Sequence, residues 1–150
     1  MTVKALKTRL VLVLSLCLAT ASASATGGLT CTIDDANVDF TLFAATNREH
    51  GTIVNVTGST LRLKSKALMT VAPGFAKELQ IAQDNIMQQW FLERELRLAV
   101  AVDNEHGELL LAVIGQAKGS NYSGRYILTV SNAGNSRTVK GRIKGCGTDG

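Results

Sequence analysis

The fold is decided by the stretch ELRLAVAVDNEHGELLLAVIG, residues 95–115. Its first half alternates leucine and valine with arginine and alanine from Leu96 to Val102, a pattern typical of a half-buried β-strand. A polar run that ends at Gly107 predicts a turn, and the apolar run 109–114 then returns as a second strand. Because this return strand is apolar on both faces, we expect it in the middle of a sheet or beneath a helix.

Similar alternation recurs on both sides of this hairpin, in about eight runs that end at turn residues. Residues 38–57 and 126–144 each predict a further hairpin, and Pro73-Gly74 predicts a turn between two shorter runs. The exception is DNIMQQWFL, residues 84–92, where Asp84 is a good N-cap and the apolar residues recur at helical spacing. We therefore predict an all-β, mainly antiparallel meander of about eight strands, closed as a small barrel or sandwich, with one short helix near residues 84–92.

The N-terminal residues have the order of regions found in an export signal. Three basic residues precede the apolar run LVLVLSLCL, residues 10–18, and Ala23-Ser24-Ala25 fits the small-x-small pattern of a cleavage site. We predict a signal peptide at residues 1–25 and a single exported β domain at residues 26–150, secreted or periplasmic. The composition of the signal is typical of a bacterium, and a eukaryotic secretory route is the alternative. A lipoprotein that is modified at Cys17 is the alternative, although Leu16 stands where a small residue is expected.

The two cysteines that remain after cleavage are Cys31 and Cys146. In an oxidising compartment they have only each other as partners, so we predict a structural disulfide between them. Neither has a Cys-x-x-Cys partner or a neighbouring histidine, which disfavours a redox or nucleophilic role. No later segment has about 18 uninterrupted apolar residues, so we expect a chain that is not integral to a membrane.

The net charge of +4 comes mostly from the predicted signal, because its removal leaves 13 basic residues against 12 acidic ones. The remaining basic residues are nevertheless patterned. Alternate residues of a strand point the same way, so two predicted strands each present a basic stripe: Arg62, Lys64 and Lys66 on one strand, and Lys140, Arg142 and Lys144 on the last. If the stripes lie close together, six cations form a patch that attracts an anionic partner. The competing interpretation is that these cations only cover the solvent-exposed face of the sheet and protect its edges from pairing with other chains.

The only histidines, His50 and His106, each lie in a turn between a glutamate and a glycine. Two such turns brought together are weak candidates for a metal site, but we favour solvated turn residues because the ligand spacing of a zinc site is absent. The cluster from Glu93 to Arg97 is interpreted in the same way, as solvated charge. The sequence contains no complete catalytic motif, so we expect no enzyme activity, no cofactor and no nucleic-acid partner.

We recognise no family motif in the sequence. The leading hypothesis is an exported, non-enzymatic binding or interaction protein that contacts a macromolecular partner through a basic strand face or its hairpin loops. An anionic envelope component or a protein is the expected partner, whose identity stays unknown. The alternative is a small β-barrel that binds an apolar small molecule beneath a helical lid formed by Trp90 and Phe91.

Overall fold

Ten β-strands make up most of the part of the chain that the structure describes. The computed structural model describes residues 26–47, 49–92 and 94–149. The predicted signal peptide at residues 1–25 lies outside them. The strands are β1 (Thr26–Asp34), β2 (Val38–Asn47), β3 (Thr52–Val56), β4 (Ser59–Leu63), β5 (Leu79–Ile81), β6 (Ile86–Leu92), β7 (Glu95–Asn104), β8 (Gly107–Lys118), β9 (Asn121–Asn132) and β10 (Asn135–Thr148). The predicted all-β, antiparallel class is confirmed.

All ten strands belong to one sheet, which curls into a half-barrel. The strand order is β5-β4-β2-β1-β10-β9-β8-β7-β6, and β3 pairs with the far end of β2. The hairpin of residues 95–115 forms the β7 and β8 pair, and β8 lies between β7 and β9 as its apolar sequence indicates. Leu109, Leu111 and Val113 of β8 face the core, whereas Leu110 is 46% exposed on the outer face.

The helix predicted near residues 84–92 is wrong. Residues Gln83–Asn85 form one 3-10 turn, and β6 follows directly. The cause is a β-bulge: the register of β6 against β7 shifts between Ile86 and Gln88, so that Met87 is the extra residue. Because of this extra residue, the apolar side chains of Ile86, Met87 and Trp90 do not alternate with polar ones as in a regular strand. Their spacing in the sequence resembles that of a helix instead.

Among the described residues, a short helix lies elsewhere, at α1 (Lys66–Val71), and a 3-10 turn at Pro73–Ala76 follows it. Leu68, Ala72 and Phe75 of this segment are buried and join the core. The interior of the half-barrel is filled by large side chains that are less than 2% exposed, among them Phe40, Phe75, Tyr126, Leu111 and Leu128.

Two glutamine side chains connect β3 to the β6 region, although β3 and β6 do not pair as strands. The main-chain N–H of Ile53 on β3 donates to Oε1 of Gln89 on β6 at 2.7 Å. Its carbonyl accepts from Nε2 of Gln83 at 3.3 Å. These bonds satisfy the peptide groups of a buried edge residue, which would otherwise cost free energy.

The first and last strands of the chain pair with each other where β1 meets β10. Only four residue pairs join these strands, Leu29–Thr32 with Gly145–Thr148, whereas eleven join β10 to β9. We call this contact the β1–β10 junction. Cys31 and Cys146 lie directly opposite each other in it and form a disulfide, which confirms the predicted bond. The disulfide therefore ties the two parts of the sheet together where they meet.

A second connection crosses from β9 to the turn between β1 and β2. The hydroxyl of Tyr126 donates to Oδ2 of Asp35 at 2.5 Å and accepts from Nδ2 of Asn37 at 3.1 Å. Oδ1 of Asp35 accepts the main-chain N–H of Asn37 at 2.7 Å. The ring of Tyr126 lies beside Gly141 of β10, where a Cβ atom would overlap it. Tyr126 thus holds β10 in place beyond the junction.

Candidate functional site

The cations of β10 form an exposed basic stripe. Lys140, Arg142 and Lys144 are all solvent-exposed, and Lys140 and Arg142 alternate along the outer face of the strand. The salt bridges among the described residues do not include any of the three. This stripe is therefore exposed and has no salt-bridge partner among the described residues.

A further arginine extends the stripe across the sheet. Arg142 of β10 lies directly opposite Arg125 of β9, and both are exposed. Like charges that face each other across two strands destabilise a sheet. Neither arginine forms a salt bridge with a described residue. An anion bound between them would remove this repulsion.

Two of the three cations in the other predicted stripe form salt bridges. Arg62 Nη2 lies 3.1 Å from Oδ2 of Asp39, and Lys64 Nζ lies 2.7 Å from Oδ1 of Asp34. Asp39 lies on the neighbouring strand β2 and faces Arg62 in register, and Asp34 is the last residue of β1, one strand further away. Lys66 is the first residue of α1 and does not belong to a strand.

The two stripes also do not combine into the patch of six cations that the sequence suggested. Two strands, β2 and β1, separate β4 from β10. The condition for a joint patch was that the two strands lie close together, and it is not met. Strand order cannot be deduced from the spacing of cations along the chain.

On the outer face, one row of side chains crosses five neighbouring strands. The pairing registers align these residues one after another across the sheet: Arg142, Arg125, Ile114, Arg97 and Trp90. We call this set the arginine row. Because neighbouring strands lie about 4.8 Å apart, the row is about 19 Å long.

At its β6 end, the arginine row borders an open cavity of about 300 Å³, lined by Gln88, Trp90, Glu95 and Arg97. The Arg97 guanidinium contacts Oε1 of Glu95 through Nε and Nη2, each at 3.0 Å. The indole of Trp90 is 52% exposed. Trp90 is therefore a surface residue of a strand and does not belong to a helical lid. The side chain of Phe91, the other predicted lid residue, lies outside the described side chains.

At the β10 end, the row borders a cavity of about 240 Å³ lined by Thr32, Ile33, Asp34, Asp35, Arg142 and Lys144. The two acids in it already have partners. Asp34 pairs with Lys64. Burial acts to raise the pKa of the Asp35 carboxyl, but the hydrogen bonds from Tyr126 and from two main-chain N–H groups outweigh it and lower the pKa. Burial and the bond to Asp35 raise the pKa of Tyr126 to about 12.

The two histidine turns lie far from each other in the sheet. His50 is in the β2–β3 turn, at the end of the sheet where β1 begins, and His106 is in the β7–β8 turn at the opposite end. Asn47 Oδ1 accepts the main-chain N–H of His50, and Asn104 Oδ1 accepts that of His106. The structure therefore does not bring these weak metal candidates together. In the described ranges, no group of three or more His, Cys, Asp or Glu side chains is placed to hold a metal ion.

Sequence reasoning missed Arg125 and the outward position of Trp90. A signal for Arg125 was present, because Tyr126, Leu128 and Val130 alternate as core residues of β9 and leave Arg125 on the opposite face. Its pairing with Arg142 depends on the register of the hairpin. Trp90 was obscured by the bulge at Met87.

Comparison with protein-family models, with characterised proteins and with solved structures finds no match for this chain. Within the described ranges, none of the helices has the length and apolar character needed to cross a bilayer.

Proposed function

We propose that this protein is an exported, non-enzymatic binding protein that holds an anionic macromolecular partner on the outer face of β7 to β10. The observation that supports this proposal best is the facing pair Arg125 and Arg142, which repel each other and have no described acidic partner. A purely structural role does not account for this pair, because two facing guanidinium groups lower the stability of the sheet.

Neighbouring groups enlarge this positive surface. Lys140 and Lys144 lie on the same strand as Arg142 and are exposed and free of described salt bridges. Clustered cations raise the local concentration of an anionic partner and accelerate its association, and both effects weaken with salt. A component of the cell envelope that carries phosphate or carboxylate groups has the required charge.

Export to the periplasm or the medium is part of the proposal. The disulfide at the β1–β10 junction is the kind of bond that persists in an oxidising compartment. The charged, apolar and small-residue regions of residues 1–25 are consistent with such a route.

The alternative, an apolar ligand in the barrel interior, has less support. Phe40, Phe75 and Tyr126 fill the concave side of the sheet and are almost fully buried. The expected helical lid is a strand whose tryptophan faces outward.

Binding to immobilised sulfated dextran at increasing salt tests the proposal. The mature protein should be retained at low salt and released as salt rises. The double variant Arg125→Gln/Arg142→Gln should elute at markedly lower salt, because both substituted residues are exposed and unpaired among the described residues.

The matched control is Arg62→Gln/Lys64→Gln, which removes the same charge from another strand face. Its elution should stay close to that of the wild type, since Asp39 and Asp34 already neutralise these cations. Equal losses in both double variants would show that net charge alone causes retention, and the proposed site would be wrong.

A further inference from the structure

The β6 end of the arginine row differs in chemistry from the rest. It contains the only tryptophan of the chain, and this side chain is 52% exposed on a strand. Tryptophan is enriched in binding interfaces and often contributes much of their binding energy. The anionic-partner proposal alone gives this indole no role.

The groups around this indole both donate and accept hydrogen bonds. The cavity of about 300 Å³ is lined by the Gln88 amide, the Glu95 carboxylate and the Arg97 guanidinium as well as Trp90. Arg97 and Glu95 hold each other in place through the contacts at 3.0 Å. The cavity is at the lower end of the size range of small-ligand sites.

We infer that this cavity is a sugar subsite, and that the partner held on the arginine row is an anionic glycan. The inference rests on the proposed function, because it names the partner class of that same surface. The C–H face of a pyranose ring is weakly positive and packs on the negative face of an indole. Its hydroxyl groups donate and accept, which matches the Gln88, Glu95 and Arg97 side chains.

The layout of the arginine row fits a polymer. Trp90 is one strand away from Arg97, and Arg97 is two strands from Arg125, about 10 Å along the row. Arg142 follows on the next strand. A sugar ring on Trp90 would leave the chain free to run across the strands, with its acidic groups on Arg125 and Arg142. The polar surroundings of Trp90 disfavour a lipid tail, which would need a continuous apolar surface.

The test uses the intrinsic fluorescence of Trp90 in the mature protein, titrated with sulfated dextran, polyglutamate and uncharged dextran. Sulfated dextran should change the emission and bind at least tenfold more tightly than polyglutamate of similar charge. The variant Trp90→Ala, followed by calorimetry, should lose about tenfold in affinity for sulfated dextran and little for polyglutamate. Met87→Ala is the control, because Met87 is 70% exposed on the same strand but does not line the cavity.

The outcomes separate this inference from the proposed function. Equal binding of sulfated dextran and polyglutamate, unchanged in Trp90→Ala, would overturn the sugar subsite and leave the anionic surface intact. No binding of either polyanion would overturn both. A single-stranded oligonucleotide that binds more tightly than sulfated dextran and depends on Trp90 would assign the surface to nucleic acid and also refute the inference.

Discussion

Removing the hydroxyl group of Tyr126 tests whether the connection between β9 and the β1–β2 turn stabilises the sheet. This hydroxyl donates to the Asp35 carboxylate at 2.5 Å and accepts from the Asn37 amide at 3.1 Å. The variant Tyr126→Phe keeps the ring that packs beside Gly141. The change is therefore confined to hydrogen bonding.

The expected cost follows from the charge and burial of the partners. A hydrogen bond to a charged group contributes about 1.5–3 kcal/mol to stability, and Tyr126 is fully buried. The variant should lose about 2 kcal/mol in the free energy of unfolding. For a domain of this size that loss lowers the melting temperature by about 6–10 °C.

Urea unfolding monitored by circular dichroism measures this loss, and Tyr122→Phe is the matched control. Tyr122 lies on the same strand and is 6% exposed. Because the structure shows no side-chain hydrogen bond from Tyr122 to a described residue, its loss should stay below about 0.5 kcal/mol. Equal losses in the two variants would refute the role of the Asp35 bond.

The pH dependence of the free energy of unfolding gives a second test of Tyr126→Phe. The pKa of Tyr126 is raised by burial and by its bond to Asp35 to about 12, so its contribution is complete below pH 10 and disappears as pH rises from 10 to 12. The pKa of Asp35 is lowered by its hydrogen bonds, which outweigh burial, so its contribution is lost as pH falls below about 4. Tyr126→Phe should show a smaller alkaline loss and a smaller acid loss. Some alkaline loss should remain, because burial also raises the pKa of Tyr122. An unchanged alkaline profile would contradict the assignment.

Three further variants test the connections of the sheet. Replacing both cysteines, Cys31→Ser/Cys146→Ser, should cost up to about 4 kcal/mol in urea unfolding, because the bond closes a separation of 115 residues; an unchanged midpoint would show that the junction does not need the bond. Gly141→Ala should cost about 2 kcal/mol, since the new Cβ overlaps the Tyr126 ring, and a neutral effect on the melting temperature would contradict that packing. Gln89→Ala should speed amide exchange at Ile53 and cost about 1 kcal/mol, as it removes the acceptor of that N–H; unaltered exchange would rule out the bond.

The strands were predictable from the sequence where side chains strictly alternate. The β7 and β8 hairpin was predicted from its own residues, because one face of β7 is buried and β8 lies inside the sheet. The alternation fails at the β6 bulge, where one extra residue at Met87 shifts the pattern. A bulge is a property of the pairing with β7, and the residues of β6 alone do not reveal it.

The candidate site was predictable only in part, for a related reason. The stripe at Lys140, Arg142 and Lys144 follows from alternation along one strand, but its extension to Arg125 depends on register across strands. Whether a cation is free also depends on its neighbours in the sheet. Arg62 has the same local pattern as Arg142 and yet has an acidic partner on β2.

The most direct test of the anionic-partner surface is to map where a short sulfated dextran binds, by following the amide resonances of the isotope-labelled mature protein. We expect the largest shifts on β7, β9 and β10, around Arg97, Arg125 and Arg142. Shifts concentrated instead around Arg62 on β4 and Lys64 just after it, or spread evenly over all exposed cations, would contradict the proposed surface.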